Sequence, residues 1–115
     1  MRYLMMIYAA ESTQVTSQTE QDIEMADYEA FGREISERNT LLSGERLHPT
    51  YTATTVRVRD GDELISDGPF AETKEQLGGF YLIQCKDMQE AIGIATKNPG
   101  ARTGSVEIRP IFEWR

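Results

Sequence analysis

Residues 79–85 read Gly-Phe-Tyr-Leu-Ile-Gln-Cys, and residues 2–9 read Arg-Tyr-Leu-Met-Met-Ile-Tyr-Ala. Both are short runs rich in aromatic, β-branched and sulfur-containing side chains, the composition of strands. Neither alternates apolar with polar residues as a strand with one wet face should. Unbroken apolar runs are what strands covered on both faces look like. These two segments are therefore expected at the centre of a sheet.

The rest of the chain fits around them. Ser17 followed by Glu20 has the form of a capping box, so a helix is expected to start after a polar loop over Ser12–Thr19. Ile23, Ala26, Ala30, Phe31 and Ile35 would form its apolar face, and Arg38-Asn39 its end. Leu41–Arg46 reads as a weak strand interrupted by Gly44. Thr54–Arg59 is a clearer one, with Val56 and Val58 alternating against Thr55, Arg57 and Arg59. Asp60-Gly61 is a strong hairpin signal that returns the chain through Leu64-Ile65. Asp87, with Glu90 three residues later, caps a second helix whose expected face is Met88, Ala91, Ile92 and Ala95. Asn98-Pro99-Gly100 stops that helix, and Val106–Phe112 is the last strand.

The resulting order, β-α-β-β-α-β with an extra hairpin between the middle strands, is the ferredoxin-like α+β arrangement in one domain spanning residues 1–115. Two helices cover only one face of a four-stranded sheet. The second apolar face then needs a cover, either a long loop (residues 11–19 or 71–77) or a second copy of the chain across a two-fold axis. A homodimer is the simpler expectation, with Tyr81 and Ile83 of the last central strand turned towards the partner.

Composition narrows the function. The 115 residues carry a formal charge of −7, against a nucleic-acid surface and against polybasic membrane contact. The apolar start, Tyr3–Ala10, is too short to cross a bilayer and lacks a signal-peptide cleavage site. The single cysteine, Cys85, reads as a small core residue, and cytoplasmic residence is the default. One Cys and one His make no zinc site, and the carboxylates lack calcium-loop spacing. The glycines fit neither the phosphate-loop nor the dinucleotide fingerprint. No metal or other cofactor is expected.

The segment ATTVRVRDGDELISDGPFAETKEQLGGFYLI, residues 53–83, resembles the DGPF branch of the YCII-related proteins. Asp67-Gly68-Pro69-Phe70, Ala71-Glu72-Thr73-Lys74-Glu75 and Leu77-Gly78-Gly79-Phe80-Tyr81 carry the likeness as one block. Arg2-Tyr3-Leu4-Met5 and Gly104–Pro110 are similar to the family's two ends, so the resemblance covers nearly the whole chain. It implies a homodimer of ferredoxin-like subunits, a dimeric α+β barrel. A related YCII enzyme type acts on chlorinated hydroxyquinone-like substrates with a His-Asp pair, and muconolactone isomerases share the architecture. In that branch the histidine lies near the first helix. Here none precedes His48, so that role does not transfer by position.

Five residues stand out for chemistry. Asp67, followed by a Gly-Pro corner and an apolar wall of Phe70, Phe80 and Tyr81, suits a carboxylate held as a base. It equally suits an aspartate that accepts hydrogen bonds from its own turn. His48 is the only imidazole, either a proton shuttle near neutral pH or a solvated loop residue. The hairpin could bring it beside Asp67. Arg57 and Arg59 share a face with Thr55 and could clamp a carboxylate or phenolate ligand, or pair with Glu72, Glu75 or Glu107. Tyr81 could line the same pocket. The expectation is a homodimer that binds or converts a small cyclic or aromatic acid by acid-base chemistry. The alternative is a non-catalytic accessory or regulatory homodimer acting through protein contacts.

Overall fold

The computed structural model describes residues 1–11 and 17–114. It is an α+β fold with six strands, β1 (Arg2–Ala9), β2 (Leu41–Arg46), β3 (Thr54–Arg59), β4 (Asp62–Asp67), β5 (Gln76–Gln84) and β6 (Ser105–Pro110), and three helices, α1 (Gln18–Glu37), α2 (Met88–Ala95) and α3 (Gly100–Thr103). Four strands form one antiparallel sheet in the order β2-β5-β1-β6. The two apolar runs are thus the central strands, and the order is consistent with a ferredoxin-like fold.

Both helix starts follow from their caps. Ser17 Oγ accepts the Glu20 amide at 3.1 Å and Asp87 Oδ1 accepts the Glu90 amide at 3.0 Å. Thr19 is already helical, and residues 12–16 of the expected loop lie outside the described residues.

Register fixes the faces, because directly paired residues share one side of a sheet. Tyr3 pairs with Ile83, Met5 with Tyr81 and Ile7 with Gly79. This is the helix-covered side: Tyr3, Met5 and Ile83 form one core with Phe31 and Ile35 of α1 and Ala91, Ile94 and Ala95 of α2, with Cys85 beside them. The expectation for Tyr81 and Ile83 is overturned here. Both point towards the helices, and Ile83 is fully buried. The outer face belongs to Leu4, Met6 and Tyr8 of β1, paired with Leu82, Phe80 and Leu77 of β5. All six are half-buried. The helices pack on the opposite side, and the hairpin makes no substantial contact with the sheet.

Two helix faces also differ from the pattern reading. In α1 only Phe31 and Ile35 are buried, whereas Ile23, Ala26 and Ala30 are exposed. In α2, Ile94 is buried in place of Ile92.

Strands β3 and β4 form a separate two-stranded sheet, an arm outside the main one. Asp60 and Gly61 turn it with φ of 54° and 82°, the paired positive values of a type I′ hairpin. The arm leaves a neck closed by the Leu47 amide donating to the Gly78 carbonyl at 2.8 Å. Its projection explains a radius of gyration of 16.2 Å, against about 13 Å for a compact chain of this length.

Candidate functional site

Asp67 and His48 flank the neck of the arm. Asp67 ends β4 opposite Thr54, and the chain then turns through Gly68 at φ 94°. The Gly68 amide donates to the Ala53 carbonyl at 2.7 Å, and the Gly68 carbonyl accepts from Thr55 Oγ1 at 2.8 Å. The corner is therefore held by backbone and by Thr55. The exposed Asp67 carboxylate makes no hydrogen bond or ion pair with a described residue. His48 is exposed where the chain leaves β2, just before a 3₁₀ turn over Thr50–Thr52. That turn is anchored by Glu11, whose carboxylate accepts the Thr50 amide at 2.9 Å and Thr50 Oγ1 at 2.7 Å. No hydrogen bond joins His48 to Asp67.

The arm's register separates the remaining groups. Arg57 pairs with Leu64 and Arg59 with Asp62, so both arginines share a face with Thr55, as the alternation indicates. Asp67 pairs with Thr54, on the other face with Val56, Val58 and Ile65. One arm therefore presents its carboxylate and its two guanidinium groups to opposite sides. Arg59 Nη1 donates to the neighbouring Val58 carbonyl at 3.0 Å. Neither arginine pairs with Glu72, Glu75 or Glu107 among the described residues, and Glu75 instead accepts from Ser105 Oγ at 2.7 Å.

Tyr81 stands in the helix-covered layer. Its ring meets Phe31 edge-on, 5.3 Å between centroids. It also lies across Gly44, where a Cβ would come within 3.0 Å of the ring. Beside it are two residues that the sequence did not advertise. Asn98, 1% exposed, accepts the Gly100 amide on Oδ1 at 2.8 Å. Its Nδ2 lies near the Tyr81 phenol without completing a well-formed hydrogen bond. Tyr28 of α1 reaches Gly100 from the other side: a Cβ there would sit 2.9 Å from both Tyr28 Oη and Asn98 Oδ1. Burial raises the phenol pKa of Tyr28 and of Tyr81 above the ordinary tyrosine value, so both are neutral donors at physiological pH. Asn98 was legible only as part of a helix-stop signal, and Tyr28 carried no signal of its own.

Two surface depressions are open to solvent. One of about 850 Å³ is lined by Tyr8, Lys74, Glu75, Ser105 and Glu107 among others, the second of about 260 Å³ lies between α2, α3 and β6, and neither includes Asp67, His48, Arg57, Arg59 or Tyr81. Among the described residues no group of three or more His, Cys, Asp or Glu side chains is placed to hold a metal ion. No helix is long and apolar enough to cross a membrane.

Comparison with known proteins gives two findings. The family model of the YCII-related domain matches residues 1–115. An uncharacterised protein of Rhizobium meliloti (strain 1021) is 43% identical over 118 residues, which covers 100% of this chain and 95% of that one.

Proposed function

Because this chain belongs to the YCII-related domain family, we propose that it works in the cytoplasm as a homodimer that binds, and converts by proton transfer, a small cyclic or aromatic acid. The observation that carries this reading is the outer face of the sheet. Leu4, Met6, Phe80 and Leu82 form a continuous apolar surface on the two central strands, with no helix over it. A second ferredoxin-like copy across a two-fold axis would bury that surface and yield a barrel-like assembly.

The arm supports the same reading. Val56 and Ile65 are 60% and 64% exposed on one face, an apolar stripe with no cover from the described residues. Asp67 lies on that face, so docking the stripe against a partner carries Asp67 into the interface. There an unengaged carboxylate beside apolar walls suits a base, with His48 at the same neck as its partner in proton transfer. Arg57 and Arg59 stay on the opposite face. A ligand anion touching both sets has to be shared between two arms, which only the assembled dimer provides.

One observation favours a non-catalytic homodimer acting through protein contacts instead: Phe70, in the corner after Asp67, is 79% exposed. A large bare aromatic suits a protein surface as well as a pocket wall.

Light scattering should give about twice the chain mass of 13.0 kDa, and Leu82→Asp should yield monomer or aggregate. A soluble wild-type monomer at micromolar concentration rejects the proposal. In the dimer, Asp67→Asn should move the imidazole resonances of His48, the single histidine. Unmoved resonances leave the dimer standing and favour the non-catalytic reading.

A further inference from the structure

The larger surface depression, of about 850 Å³, carries chemistry that the arm does not use. Its volume falls within the range of small-molecule sites, roughly 300–1,000 Å³. Strand register fixes part of its lining. Tyr8 of β1 stands opposite Ser105 of β6, and Glu107 opposite Met6, so Tyr8, Ser105 and Glu107 share the outer face of the sheet. The rest is the turn over Thr73, Lys74 and Glu75 that leads into β5. Thr73 Oγ1 donates to the Glu75 carbonyl at 2.6 Å, and Gln76 Nε2 donates to the Thr73 carbonyl at 2.9 Å. Ser105 Oγ, donating to the Glu75 carboxylate at 2.7 Å, ties this turn to β6. Lys74 is therefore carried in the middle of a braced turn.

Two opposite charges line this space without meeting. Neither Lys74 nor Glu107 makes a hydrogen bond or ion pair with the other or with any other described residue. Arg109, the next residue on that face of β6, lies outside the lining and forms no ion pair with Glu107. From this free ammonium and free carboxylate facing one depression we infer a binding site for a small zwitterion, an aromatic α-amino acid. Its carboxylate meets Lys74, its ammonium meets Glu107, and its ring lies against Tyr8 and Val106. The Tyr8 hydroxyl is engaged only by the Met6 sulfur, a weak acceptor at 3.9 Å, and is free to turn towards the ligand carboxylate. No residue of the arm takes part and one subunit supplies the whole lining, so the site goes beyond the proton-transfer reading and does not depend on it.

The charge balance selects the ligand. A plain acid satisfies Lys74 but faces the carboxylates of Glu75 and Glu107, and a phosphate dianion is repelled more strongly by both. A plain amine satisfies Glu107 and leaves Lys74 bare. A zwitterion compensates both charges and approaches a chain of net charge −7 with no net charge of its own.

The test is a titration of the wild-type protein with L-phenylalanine, followed through the backbone amide resonances of residues 73–75 and 105–107. Saturable shifts concentrated in those two segments are expected. Two half-ligands separate the charges: 3-phenylpropanoate keeps only the carboxylate and phenethylamine only the ammonium. Each should bind about five- to tenfold more weakly, the loss of one charge-assisted contact. Lys74→Gln should weaken L-phenylalanine by a similar factor yet bind phenethylamine no more weakly. Glu107→Gln should do the same while binding 3-phenylpropanoate no more weakly. Both side chains are exposed, so neither change touches the core, and unchanged thermal melts verify the fold. Absent or non-saturable shifts, equal binding of L-phenylalanine and 3-phenylpropanoate, or binding that survives both substitutions would overturn the assignment. Binding lost in Asp67→Asn but kept in Lys74→Gln places the ligand on the arm, which overturns this site and supports the dimer-shared one.

Discussion

The corner after Asp67 makes a sharp prediction about Gly68. Its φ is 94°, a value that side chains bearing a Cβ rarely adopt, and a Cβ built there meets nothing within 4 Å. Replacing it by alanine therefore introduces no collision; the whole cost is backbone conformation, about 1–2 kcal/mol. Gly93 is the control, because it also has nothing within 4 Å of its Cβ position but lies inside α2. Gly93→Ala should stabilise by about 0.5–1 kcal/mol through helix propensity. The same chemical change thus has opposite signs at two roomy positions. The arm is joined to the sheet at its neck, so part of the Gly68 effect will appear locally. Amide hydrogen exchange across the β3–β4 ladder should quicken about five- to thirtyfold in Gly68→Ala, with a fall in melting temperature of about 4 °C for each kcal/mol that reaches the whole domain. Unaltered exchange and melting would mean that the turn does not hold Gly68 in the left-handed region, and the geometry assigned to the corner would be wrong.

Cys85 is buried and its thiol pKa is raised, chiefly by burial, so alkylation at pH 8 should be slow and should accelerate with urea in step with unfolding. Glu34 and Glu113 are held below the ordinary glutamate value by hydrogen bonds from Lys97 and Arg2 respectively. A depressed folded pKa means stability fully present above about pH 4.3 and lost as pH falls through the folded values. Urea midpoints should accordingly fall on acidification below about pH 4, and Arg2→Gln should reduce that dependence.

Much of the fold could be read from the chain because its signals were local. Ser17 and Asp87 cap the helices they announce, Asp60-Gly61 turns the hairpin, and the two unbroken apolar runs are the central strands. What failed was the assignment of faces. A run such as Phe80-Tyr81-Leu82-Ile83 carries no alternation, so nothing local says which parity meets the helices; pairing with Tyr3 and Met5 decides it, against the expectation for Tyr81 and Ile83. The α1 stripe was misjudged for a related reason. Phe31 and Ile35 reach the core, whereas Ile23 and Ala26 lie on the exposed first half of the helix. As for the site, the sequence offered Asp67, Arg57 and Arg59, which the register distributes over two faces of the arm. Asn98 and Tyr28 acquire significance only through burial against Gly100, a contact no spacing rule foretells.

The position of β1 also bears on how this chain comes into being. Its partners are β5 and β6, with Arg2 opposite Gln84 and Tyr3 opposite Pro110. The most apolar strand is thus made first and paired last. At ribosomal speeds of about 5–20 residues per second, roughly 4–15 s separate the emergence of Ala9 from that of Gln84. During that interval both edges of a sticky strand are unsatisfied, and loop closure over most of the chain must precede the four-stranded sheet. Such a molecule has reason to lean on chaperones during synthesis. Its yield should be more sensitive to growth temperature than its final stability would suggest.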